Sequence, residues 1–413
     1  MKSYDAVVIG AGPAGSTAAL ILARAGWSVG IVEKTSFPRR KVCGEFISAT
    51  SLPLLRELGV AGCFLAHAGP AIRQIGLYAG NTVLAADMPC PWDGLEAHGR
   101  AFGREHFDTL MLARATEAGA EIWQPWTLMR VEKAAKGFVC AAVSKHAGQT
   151  RELRAGIVIA AHGSWERGGL PTQRFRYPPR ASDLFAFKAH FLNGDLQRDL
   201  MPLVIFPGGY GGAVQTDGGR TSFSCCIRRD YLERCRRQWR RPTAAAAVFA
   251  HIQASCRGVR EAFACATLDR AWLSAGPIRP GIRTFGRDGI FAAGNAAGEA
   301  HPIVAEGISM AMQSAWLLCE RLVAQKDAAL SGRGIEEIGR DYEAGWRRNF
   351  SRRIHAAAGF AHLAMRPVTA AIVLALLKRA PGMLTLGAYL SGKAQPLSDF
   401  RIKGMIVNNC HRE

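Results

Sequence analysis

The sequence predicts an α/β fold in three parts: a sheet domain built from separated segments, an inserted antiparallel sheet domain, and a helical C-terminal region. Two observations predict the first two parts. Segments typical of βαβ units occur at the start of the 413-residue chain, in its middle and near residue 290, and strand-rich stretches lie between them. The third part is predicted from an apolar stretch near the end that is broken by charged residues, Pro and Gly.

The first segment, YDAVVIGAGPAGSTAALILARAGWSVGIVEK, has the form of a βαβ unit of about 30 residues. Residues 4–9 are a short apolar run, typical of a buried parallel strand. Residues 14–24 are rich in Ala and Leu and predict a helix, and residues 28–32 predict a second strand that Glu33 closes.

Gly10, Gly12 and Gly15 form a GxGxxG motif between this strand and helix. The first glycine permits the tight turn, the second lets the backbone approach a pyrophosphate, and the third lets helix and strand pack closely. The helix N-terminus offers unpaired N–H groups to phosphates, and Glu33 stands where a carboxylate binds ribose hydroxyls and repels a 2′-phosphate. This Rossmann-type signature makes the following residues nucleotide-binding candidates: Gly10, Gly12, Pro13, Ala14, Gly15, Glu33 and Lys34.

The rest of the chain divides by the same patterns. REHFDTLMLARATEAGA predicts a helix, RAGIVIAAHGS a buried strand, residues 183–229 several strands, residues 243–264 a helix, and residues 288–322 a strand, a glycine loop and a long helix. We therefore expect a discontinuous nucleotide-binding domain of residues 1–70, 98–170 and 276–325, a substrate-binding sheet domain of residues 71–97 and 171–275, and a C-terminal helical region of residues 326–413.

Lys and Arg number 52 against 33 Asp and Glu, for a formal net charge of +19, which favours anionic partners. The densest basic runs are residues 234–241 and 347–353. They are either solvated helix faces or a surface for a membrane or an acidic ligand. No nucleic-acid fold signature accompanies them, so no nucleic-acid partner is expected.

Eleven cysteines without a CxxC pair predict reduced thiols, no metal site and a cytoplasmic protein. A predicted strand follows Met1 within a few residues, so we expect no signal peptide. The apolar run of residues 368–377 is too short for a bilayer span of about 20 residues. The C-terminal region is either a packed helical hairpin or a peripheral membrane contact.

The stretch GNAAGEAHPIVAEGISMAMQSA resembles the second FAD motif of flavin-dependent monooxygenases and geranylgeranyl reductases. That motif commonly begins Gly-Asp, and here Asn295 replaces the Asp, which keeps a hydrogen-bonding group but no charge. The resemblance implies that the helix after it aims its N–H dipoles at the flavin. The implied contacts are Gly294, Asn295, Pro302, Glu306, Gly307 and Ile308.

KVCGEFIS resembles a geranylgeranyl reductase pattern, Lys-x-Cys-Gly-x-x-x-Ser, through Lys41, Cys43, Gly44 and Ser48. The resemblance implies that this loop lies along the flavin with the cysteine close to the ring. Gly44 would let the backbone approach the cofactor. Cys43 either shapes the flavin pocket or takes part in catalysis, and it is the one catalytic candidate.

Basic residues near this loop are expected to neutralise the pyrophosphate: Arg39, Arg40 or Lys41. GREHFDTLML resembles the family's helix in which an arginine contacts the cofactor, which by position is Arg104. One departure from the superfamily is His162, which stands where an Asp is usual in AAHGSWE.

On these motifs the chain is similar to the geranylgeranyl reductase-like branch of the p-hydroxybenzoate hydroxylase/flavin monooxygenase superfamily, over roughly residues 1–50, 98–165 and 276–325. The resemblance implies a glutathione reductase-like FAD-binding domain, non-covalent FAD, and NAD(P)H or another electron donor bound transiently. It also implies a hydrophobic substrate (polyprenyl, polyketide or alkyl lipid-like) whose C=C bond is reduced by hydride transfer from flavin N5.

Two alternatives remain open at this point. One is an NAD(P)H-dependent flavin monooxygenase that hydroxylates an aromatic or polyketide substrate, and the other is a non-catalytic nucleotide-binding module. The Trp-x-Trp-x-x-Pro signature of related halogenases does not occur in the sequence. For the substrate side, Tyr210, within a glycine-rich run, either projects into a cavity or packs in the core. The remaining undecided candidates are Trp165, Tyr177 and His190.

Overall fold

The computed structural model describes residues 1–92, 98–146, 148–164, 170, 172–173 and 178–397. The strands within these ranges are β1 (Lys2–Ile9), β2 (Val29–Val32), β3 (Phe46–Ile47), β4 (Gln74–Ala79), β5 (Thr82–Asp87), β6 (Arg100–Ala101), β7 (Glu121–Trp123), β8 (Trp126–Lys133), β9 (Phe138–Ser144), β10 (Thr150–Ala160), β11 (Leu184–Leu192), β12 (Leu200–Phe206), β13 (Gly209–Gln215), β14 (Thr221–Arg228), β15 (Thr267–Leu268), β16 (Leu273–Ile278), β17 (Gly281–Ile282), β18 (Ile290–Ala292) and β19 (Gly298–Glu299). The helices are α1 (Pro13–Arg24), α2 (Leu52–Glu57), α3 (Ala61–His67), α4 (Arg104–Glu117), α5 (Arg229–Trp239), α6 (Ala244–Ser255), α7 (Arg257–Ala262), α8 (Gly307–Ala324), α9 (Lys326–Leu330), α10 (Ile335–Met365), α11 (Pro367–Arg379) and α12 (Met383–Leu390).

The first sheet has the order β7-β2-β1-β10-β9-β8, and β18 pairs with β10. β1 runs parallel to β2 and β10, β2 to β7, and β10 to β18. Both faces of β1 are buried. Ala6 and Val8 pack under α1 and α8, while Val7 and Ile9 on the other face belong to a core cluster with apolar residues of β8 and β9. That explains why β1 is a continuous apolar run. The carboxyl ends of the parallel strands therefore meet at one edge, where ligands of such sheets bind.

The second sheet has the order β15-β11-β14-β13-β12-β4-β5, with β16 paired to β11. It is antiparallel except for the β12–β4 pair. One face carries an aromatic core under α5, α6 and α7 that includes Phe187, Phe223 and Phe263. The other face contacts the C-terminal helices through Leu77 and Tyr210. The two sheets and their strand directions confirm the predicted α/β fold class.

The prediction of one helix for residues 243–264 is wrong in one detail, because the structure has two helices there, α6 and α7. Cys256 between α6 and α7 has extended backbone angles, φ −138° and ψ 108°. Its neighbour Arg257 donates its backbone N–H to the Gly80 carbonyl at 2.8 Å. The bridge to the end of β4 interrupts the helix although the apolar pattern continues through it.

The C-terminal region is helical as far as it is described. α10 has 31 residues, and α11 follows it at a bend of 103°. Among the helices that the structure describes, none alone is long and apolar enough to cross a bilayer, while α10 and α11 taken together as a bent pair meet the length and composition limits. Residues 398–413 of the predicted C-terminal region lie outside the described residues.

Candidate functional site: a cavity between the two sheets

The GxGxxG turn begins at the carboxyl end of β1 with Gly10 in a left-handed conformation, φ 95°. A Cβ on Gly15 would lie 1.8 Å from the Gly10 carbonyl oxygen, so only glycine lets α1 start this close to the strand. A Cβ on Gly12 would instead meet only two arginine nitrogens, each at 3.9 Å. The Gly12 side of the turn is thus open, and the N-terminus of α1 faces that space.

Glu33 holds this turn in place. Its Oε2 accepts the Ala11 backbone N–H at 2.9 Å, and its Oε1 accepts the Thr35 backbone N–H at 2.9 Å. The side chain is buried at the end of β2 but borders the cavity, as do Pro13, Ala14 and Lys34.

Two arginines bring positive charge to the Gly12 turn. Arg104, the first residue of α4, donates to both carboxylate oxygens of Asp108 at 2.7 Å. Arg39 lies 3.5 Å from Glu33 Oε2 and 3.6 Å from Asp108 Oδ2. Burial acts to lower the pKa of Arg104, but the Asp108 carboxylate and the Cys43 sulfur outweigh it and raise that pKa. Both guanidinium groups are therefore charged and fixed beside the open side of Gly12.

The expectation that Arg40 faces the same place is wrong. Its Nη1 donates to the Ala271 carbonyl at 3.0 Å, and it borders a separate small depression formed with residues 273–276. Of the three basic residues proposed for the pyrophosphate, Arg39 and Lys41 line the large cavity. Consecutive residues point to different sides of an extended loop, and the sequence alone does not say which side is inward.

The loop with Cys43 and Gly44 lies along the cavity, as the sequence predicted. A Cβ on Gly44 would meet only Ser224 Oγ of β14, at 3.4 Å, so this glycine contributes small size rather than an unusual backbone angle. The residue with the left-handed backbone is the next one, Glu45, with φ 67°. Cys43 is half-buried beside Arg104.

Glu45 is the centre of a buried ion-pair cluster that sequence analysis missed. Its Oε1 accepts the Arg104 backbone N–H at 3.0 Å and contacts Lys188 Nζ, and its Oε2 lies 2.7 Å from His190 Nε2. All three side chains are fully buried, and the latter two lie on β11. Burial opposes ionisation of Glu45, but Lys188 and His190 outweigh it and lower its pKa to about 2. The cluster ties the Cys43 loop to the second sheet.

The segment before α8 forms another wall of the cavity. Asn295 borders the cavity and donates its Nδ2 to Glu299 Oε1 at 3.2 Å, and Arg283 donates to Glu299 Oε2 at 3.0 Å. A Cβ on Gly307 would meet no atom within 4 Å, so the N-terminus of α8 is open toward the cavity. Pro302 and Ile308 line the cavity too.

Two residues predicted here to touch the cofactor lie behind the wall. Gly294 does not line the cavity: its N–H donates to Ser314 Oγ at 2.9 Å, and a Cβ would lie 2.8 Å from Ala14 Cβ. Glu306 is buried, accepts from Lys393 Nζ at 3.0 Å and from Ser48 Oγ at 3.0 Å, and does not line the cavity either. Both hold α8 in position, and neither borders the cavity.

Tyr210 fits both readings of this residue, because it lines the cavity and is also fully buried in a core cluster with Cys226 and Ala361. Its Oη lies 3.2 Å from His301 Nδ1 and contacts the Cys226 thiol. Burial first, then Cys226, raises the pKa of Tyr210 well above its usual value, and burial lowers the pKa of His301 to about 4. Both side chains are therefore neutral near pH 7. Sequence analysis missed His301, although it directly precedes Pro302 of the recognised motif.

The structure places His162 and the undecided candidate His190 differently relative to the cavity. His162 borders the cavity, where its Nε2 lies 2.8 Å from Thr172 Oγ1. His190 is buried away from the cavity in the Glu45 cluster. Trp165 and Tyr177 lie outside the described residues.

These groups surround one cavity of about 1010 Å³ between the two sheets. Ligand pockets commonly span about 300–1,000 Å³, so the volume suits a large ligand. The end at the glycine turn is charged, whereas the far end, under the C-terminal helices, is aliphatic. The aliphatic lining includes Leu77, Leu203, Ile205, Phe360, Leu377 and Leu384.

Comparison with known proteins now identifies the cofactor. Residues 3–356 match the family described as "FAD binding domain". The chain belongs to this family. The predicted kinship with geranylgeranyl reductases is confirmed. The site of this FAD-binding protein suits the cofactor: the open N-terminus of α1 and two fixed guanidinium groups face the end where a pyrophosphate would bind.

Named relatives of this FAD-binding protein include reductases and halogenases. A digeranylgeranylglycerophospholipid reductase 2 of Methanopyrus kandleri is 28% identical over 351 residues, which is 81% of this chain and 78% of the relative. A menaquinone reductase of Mycolicibacterium smegmatis is 35% identical over 141 residues. That match spans 34% of this chain and only 33% of the relative's own length.

Solved structures show the same fold. The myxobacterial chondrochloren halogenase, described as a variant of FAD-dependent halogenases, superimposes with a TM-score of 0.77 at 19% identity, over 96% of this chain and 93% of that chain. A geranylgeranyl bacteriochlorophyll reductase-like protein of Thermoplasma acidophilum has a TM-score of 0.69 at 18% identity, over 94% and 100% of the two chains.

Proposed function

We propose that this FAD-dependent oxidoreductase reduces C=C bonds in a long apolar substrate of polyprenyl or alkyl lipid-like type. The observation that carries the proposal is the cavity, which runs without interruption from the charged glycine turn to the aliphatic end under α11 and α12. A chain that lies in the aliphatic end buries apolar surface, and each CH₂ group contributes about 0.8 kcal/mol. The name of the Methanopyrus kandleri relative, a digeranylgeranylglycerophospholipid reductase, supports the same substrate class.

The residues divide the work of binding. Gly12, Arg39 and Arg104 would hold the pyrophosphate of FAD, and the open N-terminus of α8 at Gly307 would face its flavin. FAD, when reduced, supplies a hydride to carbon, and we propose NAD(P)H as a transiently bound electron donor. The aliphatic walls orient the substrate and exclude water.

Saturation of a C=C bond also needs a proton, and Tyr210 is well placed to hold it. Its side chain lines the cavity, and its phenol lies against His301 and Cys226. Its raised pKa keeps the Oη proton in place over the working pH range. Cys43 lines the same cavity.

The first experiment asks whether oxygen is needed. The purified flavoprotein is reduced with NADPH or dithionite under anaerobic conditions and mixed with a geranylgeranyl-chain lipid in detergent, and mass spectrometry measures the product. We expect a gain of H₂ for each reduced double bond, independent of oxygen. A product that forms only with oxygen and carries an oxygen atom would refute reduction and favour a monooxygenase.

A second experiment tests whether Tyr210 supplies the proton. Tyr210→Phe removes one oxygen atom from a wall of the cavity, and general acid catalysis typically contributes a factor of about 10²–10⁴. We expect turnover to fall at least about a hundredfold with an unchanged flavin spectrum. Tyr78→Phe is the matched control, because Tyr78 is also buried in the second sheet but does not line the cavity. Full turnover in Tyr210→Phe would remove this residue from the reaction.

A further inference from the structure

Helix α11 exposes a continuous apolar stripe. Val368, Ile372 and Leu376 follow one another at intervals of four residues, which places them on one face. All three are exposed, Ile372 to 57% of its surface. Isolated exposed apolar residues are ordinary, but a stripe along a whole helix marks an interaction site.

Helix α12 continues this surface. Met383, Leu386, Tyr389 and Leu390 lie at intervals of three and four residues, and all are exposed, Leu386 to 55%. We call the seven side chains on α11 and α12 the apolar face: Val368, Ile372, Leu376, Met383, Leu386, Tyr389 and Leu390.

The opposite sides of the two helices are apolar as well. Leu377 and Leu384 are buried against Leu77 of β4 and the neighbouring strands. Thr385 Oγ1 donates to the Asp87 carbonyl at 2.7 Å and fixes α12 on the sheet. A helix that is apolar on all sides is typical of a core or of lipid surroundings, and these two are covered on one side only.

The apolar face surrounds an end of the cavity. Leu376 and Met383 are exposed and also line the cavity, and so does Leu363 near the end of α10. The aliphatic end of the cavity is thus continuous with the apolar face. A lipid chain could pass from this surface to the site without crossing water.

Charge indicates which kind of surface binds here. Arg366, Lys378 and Arg379 are exposed at the two ends of α11. The sequence from residue 344 to residue 398 contains no Asp or Glu at all. Not every basic residue of the region contributes, because Arg353 is buried and donates to Gln313 Oε1 at 3.4 Å.

We propose that the apolar face docks on an anionic lipid bilayer, with α11 and α12 lying in the interface and Arg366, Lys378 and Arg379 among the headgroups. The docking takes lipid chains directly from the bilayer into the cavity. Only this second step rests on the proposed function, because docking itself is independent of the reaction. A second copy of the chain is the other occupant that such a face could bind, and the test separates the two.

The test uses the flavin-loaded full chain and sedimentation with vesicles of phosphatidylcholine, with or without phosphatidylglycerol. We expect binding to the anionic vesicles and weaker binding to phosphatidylcholine alone. Ile372→Asp with Leu386→Asp should weaken binding at least about tenfold for each side chain. Leu268→Asp is the matched control, because Leu268 is 46% exposed on the edge strand β15, outside the apolar face.

The double Asp variant should keep its flavin spectrum and its turnover of a detergent-dispersed substrate, since neither residue lines the cavity. The vesicle experiment can therefore refute docking while the proposed reaction stands, and the turnover experiment can refute the reaction while docking stands. Absence of binding to either vesicle, or equal binding by the double variant, overturns the proposal. A dimer in solution that the double variant dissociates, without vesicle binding by the parent, assigns the apolar face to a second copy instead.

Discussion

Glu45→Gln is the substitution that tests the buried cluster most directly. Gln has nearly the same shape as Glu, so the change removes a charge and leaves the packing of the loop intact. Lys188 then remains fully buried without its carboxylate partner, and His190 Nε2 loses an ionised one. Removing one member of a buried ion pair typically costs about 3–5 kcal/mol.

The pKa of Glu45 gives an independent magnitude. A fall from 4.5 to about 2 on folding corresponds to about 3 kcal/mol of stability at neutral pH. Because the folded-state pKa is the lower one, this stability is complete above the unfolded-state value and is lost as the pH falls from about 5 towards 2. The Gln variant cannot titrate there, so the free-energy difference between parent and variant should shrink over the same pH range.

Denaturant unfolding of the protein, followed by far-UV circular dichroism at pH 7 and at acid pH, measures both effects. Glu121→Gln is the matched control, because Glu121 pairs with Lys2 at 2.6 Å on the exposed surface, where such a pair contributes at most about 1 kcal/mol. Glu45→Gln combined with Lys188→Met should recover most of the loss, since no buried charge remains unpaired. Equal stability of parent and Glu45→Gln at pH 7, or an undiminished loss in the double variant, would refute the reasoning.

Two further predictions concern FAD, measured by fluorescence titration of the apoprotein. Arg39→Ala should weaken FAD binding about tenfold to hundredfold, since a charged hydrogen bond contributes about 1.5–3 kcal/mol, whereas Arg40→Ala should bind FAD like the parent; equal losses would contradict the assignment of Arg39 to the cavity. Gly15→Ala should yield no folded flavoprotein, because its Cβ would lie 1.8 Å from a backbone oxygen. Gly307→Ala should fold normally yet bind FAD less well. Normal FAD binding by both variants would contradict this prediction.

The parts of the site that sequence reasoning found are those held by local geometry. Gly10 and Gly15 belong to one turn, and their spacing alone fixes which backbone atoms approach each other. The Cys43 loop and the start of α8 were located because each resembles a motif of consecutive residues. Local rules of this kind predicted the α/β fold class and the composition of the charged end of the cavity.

Long-range pairing could not be found in the same way. Glu45 and Lys188 are 143 positions apart, and only the pairing of β11 with β14 and the position of the loop bring them together. The direction of each side chain along a loop could not be predicted either: of the candidates Arg39, Arg40 and Lys41, the sequence did not show that Arg40 lies away from the large cavity. A motif also gives the sequence position of Glu306 and not the side of the helix start that it faces, which in the structure is toward Lys393.

The cluster around Glu45 also explains how one cavity can hold both charge and lipid. Charges inside a protein are costly unless they are paired, and every buried carboxylate near the glycine turn has a basic partner: Glu45 with Lys188, Asp108 with Arg104, and Glu33 with Arg39. None of these groups reaches the aliphatic end, where the walls come from β4, β12 and the C-terminal helices. Tyr210 and His301, both neutral near pH 7, also line the cavity. Lys393 also borders the cavity beside these helices, but its Nζ is buried and donates to Glu306 Oε1 at 3.0 Å. Under the proposed function, a substrate chain that enters from the apolar face therefore passes mainly aliphatic walls. For this reason a charge introduced midway, as in Leu77→Lys, should block long-chain substrates while FAD still binds.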